Sequence, residues 1–321
     1  MRHAWAAALS AGIAAAAGFP GALAAQWPER PVRVVVPFAP GGATDVVARI
    51  VSPRLSEELG QQFVVDNRAG AGGTIGTEIV ARASPDGYTI NIGASSYASS
   101  AALYKLSYDP MSGMQHVTLI TRGPFVLAVH PTVPAKDIRE LIALARAKPG
   151  ALSFGSSGTG GVPHLATEHL RQMTHTNMVH VPYKGDAPAI LDLLAGRIQF
   201  YLGGPLVLSP HMNAGRIRGL AVSSEQRSPI LPDLPAINEV VPGYTAFTWF
   251  GMWAPPKTPR AIQMKLNETV ARILKRADVQ ERLRADGMEA IGNSPEEFAR
   301  FVAADIAKWQ KVVKAGNIRV D

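Results

Sequence analysis

A run of β-branched residues that stops at a glycine turn and restarts as a helix constrains this chain more than any other feature. Its first instance is "VRVVVPFAPGGATDVVARI", Val32 to Ile50, where a valine run ends at Pro-Phe-Ala-Pro-Gly-Gly and a helical stripe of Val46, Val47, Ile50, Val51 and Leu55 begins. A strand this apolar must be covered on both faces. Short runs of this kind alternating with amphipathic helices predict α/β layers around largely parallel sheets.

The unit recurs. Phe63 to Asp66 leads into "NRAGAGGTIG" and a helix through Glu78 to Ala83, and the turn "SPDG" feeds a strand, Tyr88 to Gly93, and a Ser-rich loop, "ASSYASS". From Phe125 the pattern starts again: "FVLAVHP", a helix Lys136 to Ala147, "ALSF", the loop "GSSGTGG", and a helix from about Val162 to Met173. Then come "MVHVPYKG", a helix Asp186 to Ala195, a strand through Phe200 and Tyr201, "GGPLVLSP" and a strand Gly219 to Ser223. After a Pro-rich crossing, "FTWFGMWAP" precedes three helical patterns with starts such as Thr258-Pro259 and Ser294-Pro295. Pro53 predicts a kink in the first helix.

The C-terminal helices have no strands left to cover in their own segment, so their apolar faces are expected to pack back on the first half. That arrangement predicts a discontinuous first domain, 26–124 and 249–321, and an inserted second domain, 125–248, joined near Gly123 and Trp249. With 321 residues, 47% of them apolar, the chain has core enough for two such lobes. A cleft between them would be lined by strand-to-helix loops, where open sheets bind ligands.

Composition narrows the function. There are no cysteines, which excludes disulfides, thiolate metal sites and cysteine nucleophiles. The formal charge of +7 is scattered without a basic run, so no nucleic-acid stripe exists, although anions are favoured. Arg2, an Ala-rich run and Ala22-Leu23-Ala24 read as a secretory signal peptide over residues 1–25, placing the mature chain in the periplasm. A membrane anchor over Ala4 to Ala25 is the alternative, disfavoured because alanine is only weakly apolar.

In "PFAPGGATD", Gly41 and Gly42 permit a turn whose backbone N–H groups face outward at a helix N-terminus, a nest for an anion, with Thr44 or Asp45 as the helix cap. No Gly-Lys-Ser/Thr follows, so this is no nucleotide loop; a tight turn without ligand is the plainer alternative. The glycines of "NRAGAGGTIG" miss the dinucleotide fingerprint, and close helix-to-strand packing explains them at least as well. "FGSSGTGGVPH" is the second lobe's counterpart, offering Ser156, Ser157, Thr159 and the N–H groups between them to a carboxylate. Ser157 lacks the second glycine of a hydrolase elbow, and His164, Glu168 and His169 match no zinc motif. Neither a metal nor a cofactor is implied. Tyr183, in "PYKG", is placed where its ring could pack on a ligand.

Five ordered blocks, "WPERPVRVVVPFAPGGATDVVARI", "VVDNRAGAGGTIGTEIVARASPDGYT", "GSSGTGGVPHLATE", "VHVPYKGDAPAILDLLAGRI" and "LAVSSEQRSPILPDLP", resemble the receptors of tripartite tricarboxylate transporters, the Bug solute-binding proteins. The resemblance implies a two-lobed type II periplasmic binding protein that closes on a small organic anion and hands it to small and large membrane subunits, with a monomer as the default. It implies a carboxylate held by backbone N–H groups and waters at Phe38, Ala39, Gly41 and Gly42, with Ser95 and Ser96 in the loop after the third strand. On the second lobe it implies Ser157, Gly158, Thr159, His164 and Tyr183.

One position departs from the pattern. Many relatives carry Asp-Asn after the strand "RIQFYL", where this chain has Gly203 and Gly204. The absent acid and the room left by two glycines lead to the expectation of a ligand with a carboxylate but no amine, aromatic or otherwise bulky. The rivals are a periplasmic protein that presents its ligand to a membrane sensor, and a hydrolase, which would need a triad, metal set or cofactor motif that the chain lacks.

Overall fold

The computed structural model describes residues 27–319, so the expected signal peptide lies outside the described residues. Eleven strands form two sheets. The first contains β1 (Val32–Val36), β2 (Phe63–Asn67), β3 (Thr89–Ala94), β4 (Gln115–Pro124), β10 (Phe247–Ala254) and β11 (Glu289–Ala290), in the order β11-β4-β10-β3-β1-β2. The second contains β5 (Val126–Val129), β6 (Ser153–Ser156), β7 (Val179–Pro182), β8 (Phe200–Gly203) and β9 (Arg218–Val222), in the order β7-β6-β8-β5-β9.

The sheets are mixed, where largely parallel ones were expected. β1 runs parallel to β2 and β3, and β6 parallel to β7 and β8, but β10 pairs antiparallel with β3 and β4, and β5 antiparallel with β8 and β9. The reason is connectivity: β4 and β10 carry the chain out of one sheet and back into it, so they must run in opposite senses.

Helix α1 (Ala43–Leu59) runs on as one element through Pro53 and ends at Gly60, φ 72°. Its buried stripe, Val47, Val51 and Leu55, covers β1, whose Val32, Val34, Val35 and Val36 are wholly buried. Each such valine stabilises the fold by roughly 1.5–3 kcal/mol. A short turn, Ala71–Gly73, precedes α2 (Thr74–Ala81), and α3 (Ser96–Leu103) follows β3 directly. The stretch expected as a Ser-rich loop is therefore mostly helix. Its serines are poor helix formers, but Ser99 and Ser100 are buried and Tyr97 stacks on Trp253 at 4.6 Å, so packing overrides propensity.

In the second lobe α4 (Ile138–Ala147) and α5 (Val162–Thr174) pack into one core, and α6 (Asp186–Leu194) and α7 (Pro205–Asn213) into another on the opposite face of the sheet. The last three helices, α8 (Arg260–Ile273), α9 (Ala277–Ala285) and α10 (Pro295–Gly316), return to the first sheet. α8 lies against α1 and β4, and α10 against α3, β4 and α5.

Both crossings meet at one residue. The fully buried Ser223 accepts a hydrogen bond from the Phe125 N–H at 2.7 Å and donates its hydroxyl to the Ala246 carbonyl at 2.6 Å. Its own N–H donates to the Phe125 carbonyl at 2.9 Å.

Candidate functional site

The turn after β1 is held from behind by a carboxylate. Gly41 sits at φ +80°, a conformation that strains an L side chain, and its N–H donates to Asp45 Oδ2 at 3.0 Å. Asp45, only 3% exposed, also accepts from Arg49 Nε at 2.8 Å and Asn67 Nδ2 at 3.0 Å. The same Asn67 amide donates to the Phe38 carbonyl at 2.9 Å. Burial works to raise the Asp45 pKa, but hydrogen bonds from Arg49, Gly41 and Asn67 outweigh it and hold the carboxyl below its ordinary value.

Two expectations about this turn are corrected. Thr44 and Asp45 do not cap α1: the Gly42 carbonyl accepts the Val46 N–H at 3.0 Å, so Gly42 is the cap and the other two lie inside the first turn. The Gly41 N–H is also not on offer, because Asp45 takes it. The donors left open include those of Phe38, Ala39, Ala43 and Thr44, whose N–H groups have no acceptor among the described residues. They still make an N-terminal nest, displaced along the chain.

The loop after β3 contributes less. The Ser95 N–H donates to the Trp249 carbonyl at 2.8 Å, tying this loop to β10. Ser96 lines a cavity of about 10 Å³ with Pro37, Thr77, Ser100 and Tyr108, of a size for about one water.

On the second lobe, the loop between β6 and α5 is braced internally. The Gly158 N–H donates to Ser156 Oγ at 3.2 Å, Ser156 Oγ lies 2.6 Å from His180 Nε2, and the Gly160 N–H donates to His164 Nδ1 at 3.1 Å. His164 stacks on His180 at 3.9 Å between centroids, with its Nε2 3.8 Å from Glu168 Oε1. Burial, with His180 and Arg171 nearby, pulls its pKa down to about 3, so it is neutral. Its Nδ1 is taken by the Gly160 N–H, so the ring braces the loop. Ser157 and Thr159 keep N–H groups with no acceptor among the described residues. The Thr159 carbonyl accepts from the Tyr104 hydroxyl, across from the first lobe, at 2.9 Å.

Tyr183 is half-buried beside α6, its hydroxyl donating to Asp192 Oδ2 at 2.8 Å, and burial with that partner pushes its pKa up to about 12. Gly203 is buried, and its missing side chain leaves no room for a ligand: a Cβ there would fall on the Tyr201 ring. Gly204 has the Thr248 side chain 3.6 Å from where its Cβ would stand. The fully buried Tyr201 donates its hydroxyl to Asp186 at the start of α6, and the Ser157 hydroxyl stands beside both.

Residues 47–318 match the tripartite tricarboxylate transporter family receptor, TctC. The chain belongs to that family. Among solved structures, the receptor resembles Rhodopseudomonas palustris Rpa4515 with adipate, at 42% identity and a TM-score of 0.88, covering 91% of this chain and 99% of that one. The periplasmic binding protein BugD is 34% identical, with a TM-score of 0.86, over 91% of this chain and 99% of its own. MatC from Rhodopseudomonas palustris with bound malate is 32% identical, with a TM-score of 0.84, over 89% and 100%. The chain is thus a two-lobed α/β solute-binding receptor of the TctC/Bug kind, and its relatives are binding proteins of the periplasm. Among the described residues no helix is long and apolar enough to span a membrane, and no cluster of His, Asp and Glu could hold a metal.

Three groups beside the candidate loops are not singled out by the sequence. Asn67 ends β2 where the sequence reads as the start of the glycine loop, Tyr104 lies in a segment with no motif, and Asp186 reads as the first residue of a helix. The one available signal was an acid directly after "PYKG", in register with the other loops at the ends of parallel strands.

Proposed function

We propose that the protein captures a small organic carboxylate between its lobes through backbone N–H groups and ordered waters, and delivers it to the membrane subunits of a tripartite tricarboxylate-type transporter. The observation that carries this reading is the pair of open helix N-termini, α1 with free N–H groups at Phe38, Ala39, Ala43 and Thr44, and the loop before α5 with those of Ser157 and Thr159. Such donors suit an anion, and with no lysine or arginine in either loop the geometry favours a carboxylate over a phosphate. Relatives solved with adipate and malate support the same class. Closure would replace water around the anion by these fixed dipoles, and the difference in affinity between open and closed forms would drive the hinge.

Calorimetry with adipate, malate, citrate, aspartate, glutamate, nicotinate and aromatic carboxylates tests it, with Gly42→Val beside the wild type. The backbone at Gly42 is extended, φ −77°, and its nearest would-be contact is the Ala39 carbonyl at 3.5 Å, so the variant folds. Loss of carboxylate binding at unchanged melting temperature supports the nest; equal affinity in the folded variant refutes it.

A further inference from the structure

The strands β6, β7 and β8 are mutually parallel, so the loops that follow them share one edge of the second sheet. Ser157 follows β6, Asp186 follows β7 after a short loop, and Gly203 ends β8. The Gly185 N–H donates to the Ser157 carbonyl at 3.1 Å, and the Tyr183 N–H to the Ser156 carbonyl at 3.0 Å, so the first two loops are one unit. Tyr201 reaches that unit from below. Its ring occupies the space a side chain at 203 would need, which only glycine vacates, and its hydroxyl ends on the Asp186 carboxylate beside the Ser157 hydroxyl.

This arrangement holds a carboxyl group in place through hydroxyl groups. Tyr201 and Ser157 are hydroxyl partners, not cations, and among the described residues no salt bridge involves Asp186. A carboxylate has about four acceptor positions, and two hydroxyls leave the others open. Asp186 as a residue is partly exposed, and its Oδ1 accepts from the Tyr201 hydroxyl. Desolvation pushes its pKa above the ordinary carboxylate value, and the Tyr201 and Ser157 hydroxyls offset that only in part. A free acceptor at the loop edge that carries the second-lobe N–H donors calls for a donor on the ligand.

Resting on the carboxylate reading of the cleft, we propose that Asp186, positioned by Tyr201 and admitted by Gly203, is the specificity residue of the second lobe, accepting a hydroxyl or ammonium hydrogen from the far end of a monocarboxylate ligand. This reverses the expectation drawn from the two glycines: the acid is not missing but stands at the start of α6, and the space at Gly203 belongs to a tyrosine.

The test compares ligands of matched length by calorimetry: succinate against γ-hydroxybutyrate and γ-aminobutyrate, and adipate against ε-hydroxycaproate and ε-aminocaproate. The expected result is that wild type binds a donor-bearing monocarboxylate more tightly than its matched dicarboxylate. Asp186→Asn then moves the preference about tenfold towards the dicarboxylate, a gain of binding that a misfolded variant cannot produce. Tyr201→Phe keeps the carboxyl group but removes its anchor, so donor-bearing ligands weaken severalfold while the dicarboxylates are unchanged. The ammonium and hydroxyl arms separate a charge pair from a neutral hydrogen bond. If carboxylates bind but the preference is the same in wild type and both variants, Asp186 has no such role and the proposal is overturned alone. If no carboxylate binds the wild type, the reading of the cleft falls and the proposal with it.

Discussion

Asp45 shows how one side chain can serve a site without touching a ligand. Its carboxylate is committed to Gly41, Arg49 and Asn67, and through Asn67 to the Phe38 carbonyl, so the turn keeps its shape before any anion arrives. Asp45→Asn removes the charge and at least one good acceptor from a buried position, at an expected cost of about 1–3 kcal/mol. The measurement is a fall in urea midpoint with unchanged slope, accompanied by weaker carboxylate binding. Because the folded pKa lies below the ordinary carboxylate value, this contribution is present at neutral pH and lost as pH falls through the acidic range, and the asparagine variant lacks that loss. The residue was legible as an acid near a helix start, but its target was not. A cap and a residue that reaches back over the turn are alike in sequence, and only the backbone path through Gly41 and Gly42 separates them.

At the scale of elements, the strand-turn-helix units were readable because their signals are local: valine runs, glycine turns and an apolar stripe at helical spacing. Helix α3 was not, because its stability comes from Tyr97 on Trp253 and from buried serines rather than from its own composition. That helix also ends beside a contact between the lobes, where the Tyr104 hydroxyl reaches the Thr159 carbonyl of the loop before α5. Tyr104→Phe removes this bond while keeping the ring. A net hydrogen bond of about 0.5–1.5 kcal/mol corresponds to roughly a two- to tenfold loss of carboxylate affinity if the contact belongs to the closed form. Calorimetry should show that loss with little change in the melting temperature of the unliganded protein; equal affinity would show that the contact is present in both forms.

At the scale of the molecule, the two crossings are coupled through Ser223. Ser223→Ala leaves the Phe125 N–H without its side-chain acceptor in a fully buried place, an expected cost of about 1–3 kcal/mol, read as a lower urea midpoint. Stability is also tied to pH through three histidines. Burial pulls His116 and His180 down to about 4 and, with its neighbours His180 and Arg171, His164 to about 3. An unfolded histidine titrates near about 6.5, so on acidification the unfolded chain takes up protons that the folded one refuses. Stability is therefore full above about pH 6.5 and falls towards about pH 4, by at most roughly 1.4 kcal/mol per histidine per pH unit. Denaturation midpoints at neutral and mildly acid pH check this, and His164→Asn should flatten the slope.

The amino-acid order already contained the layered α/β class, the glycine loops at the ends of strands and the family, since each is written in short-range pattern and composition. What depended on the folded chain was the use made of each polar group. Whether an N–H faces a ligand or Asp45, whether a glycine leaves space or yields it to Tyr201, and which acid stands at the second lobe's edge all depend on atoms far apart along the chain. Hydrogen bonds and close contacts act over a few ångströms, so only the tertiary arrangement decides which partners come within that range.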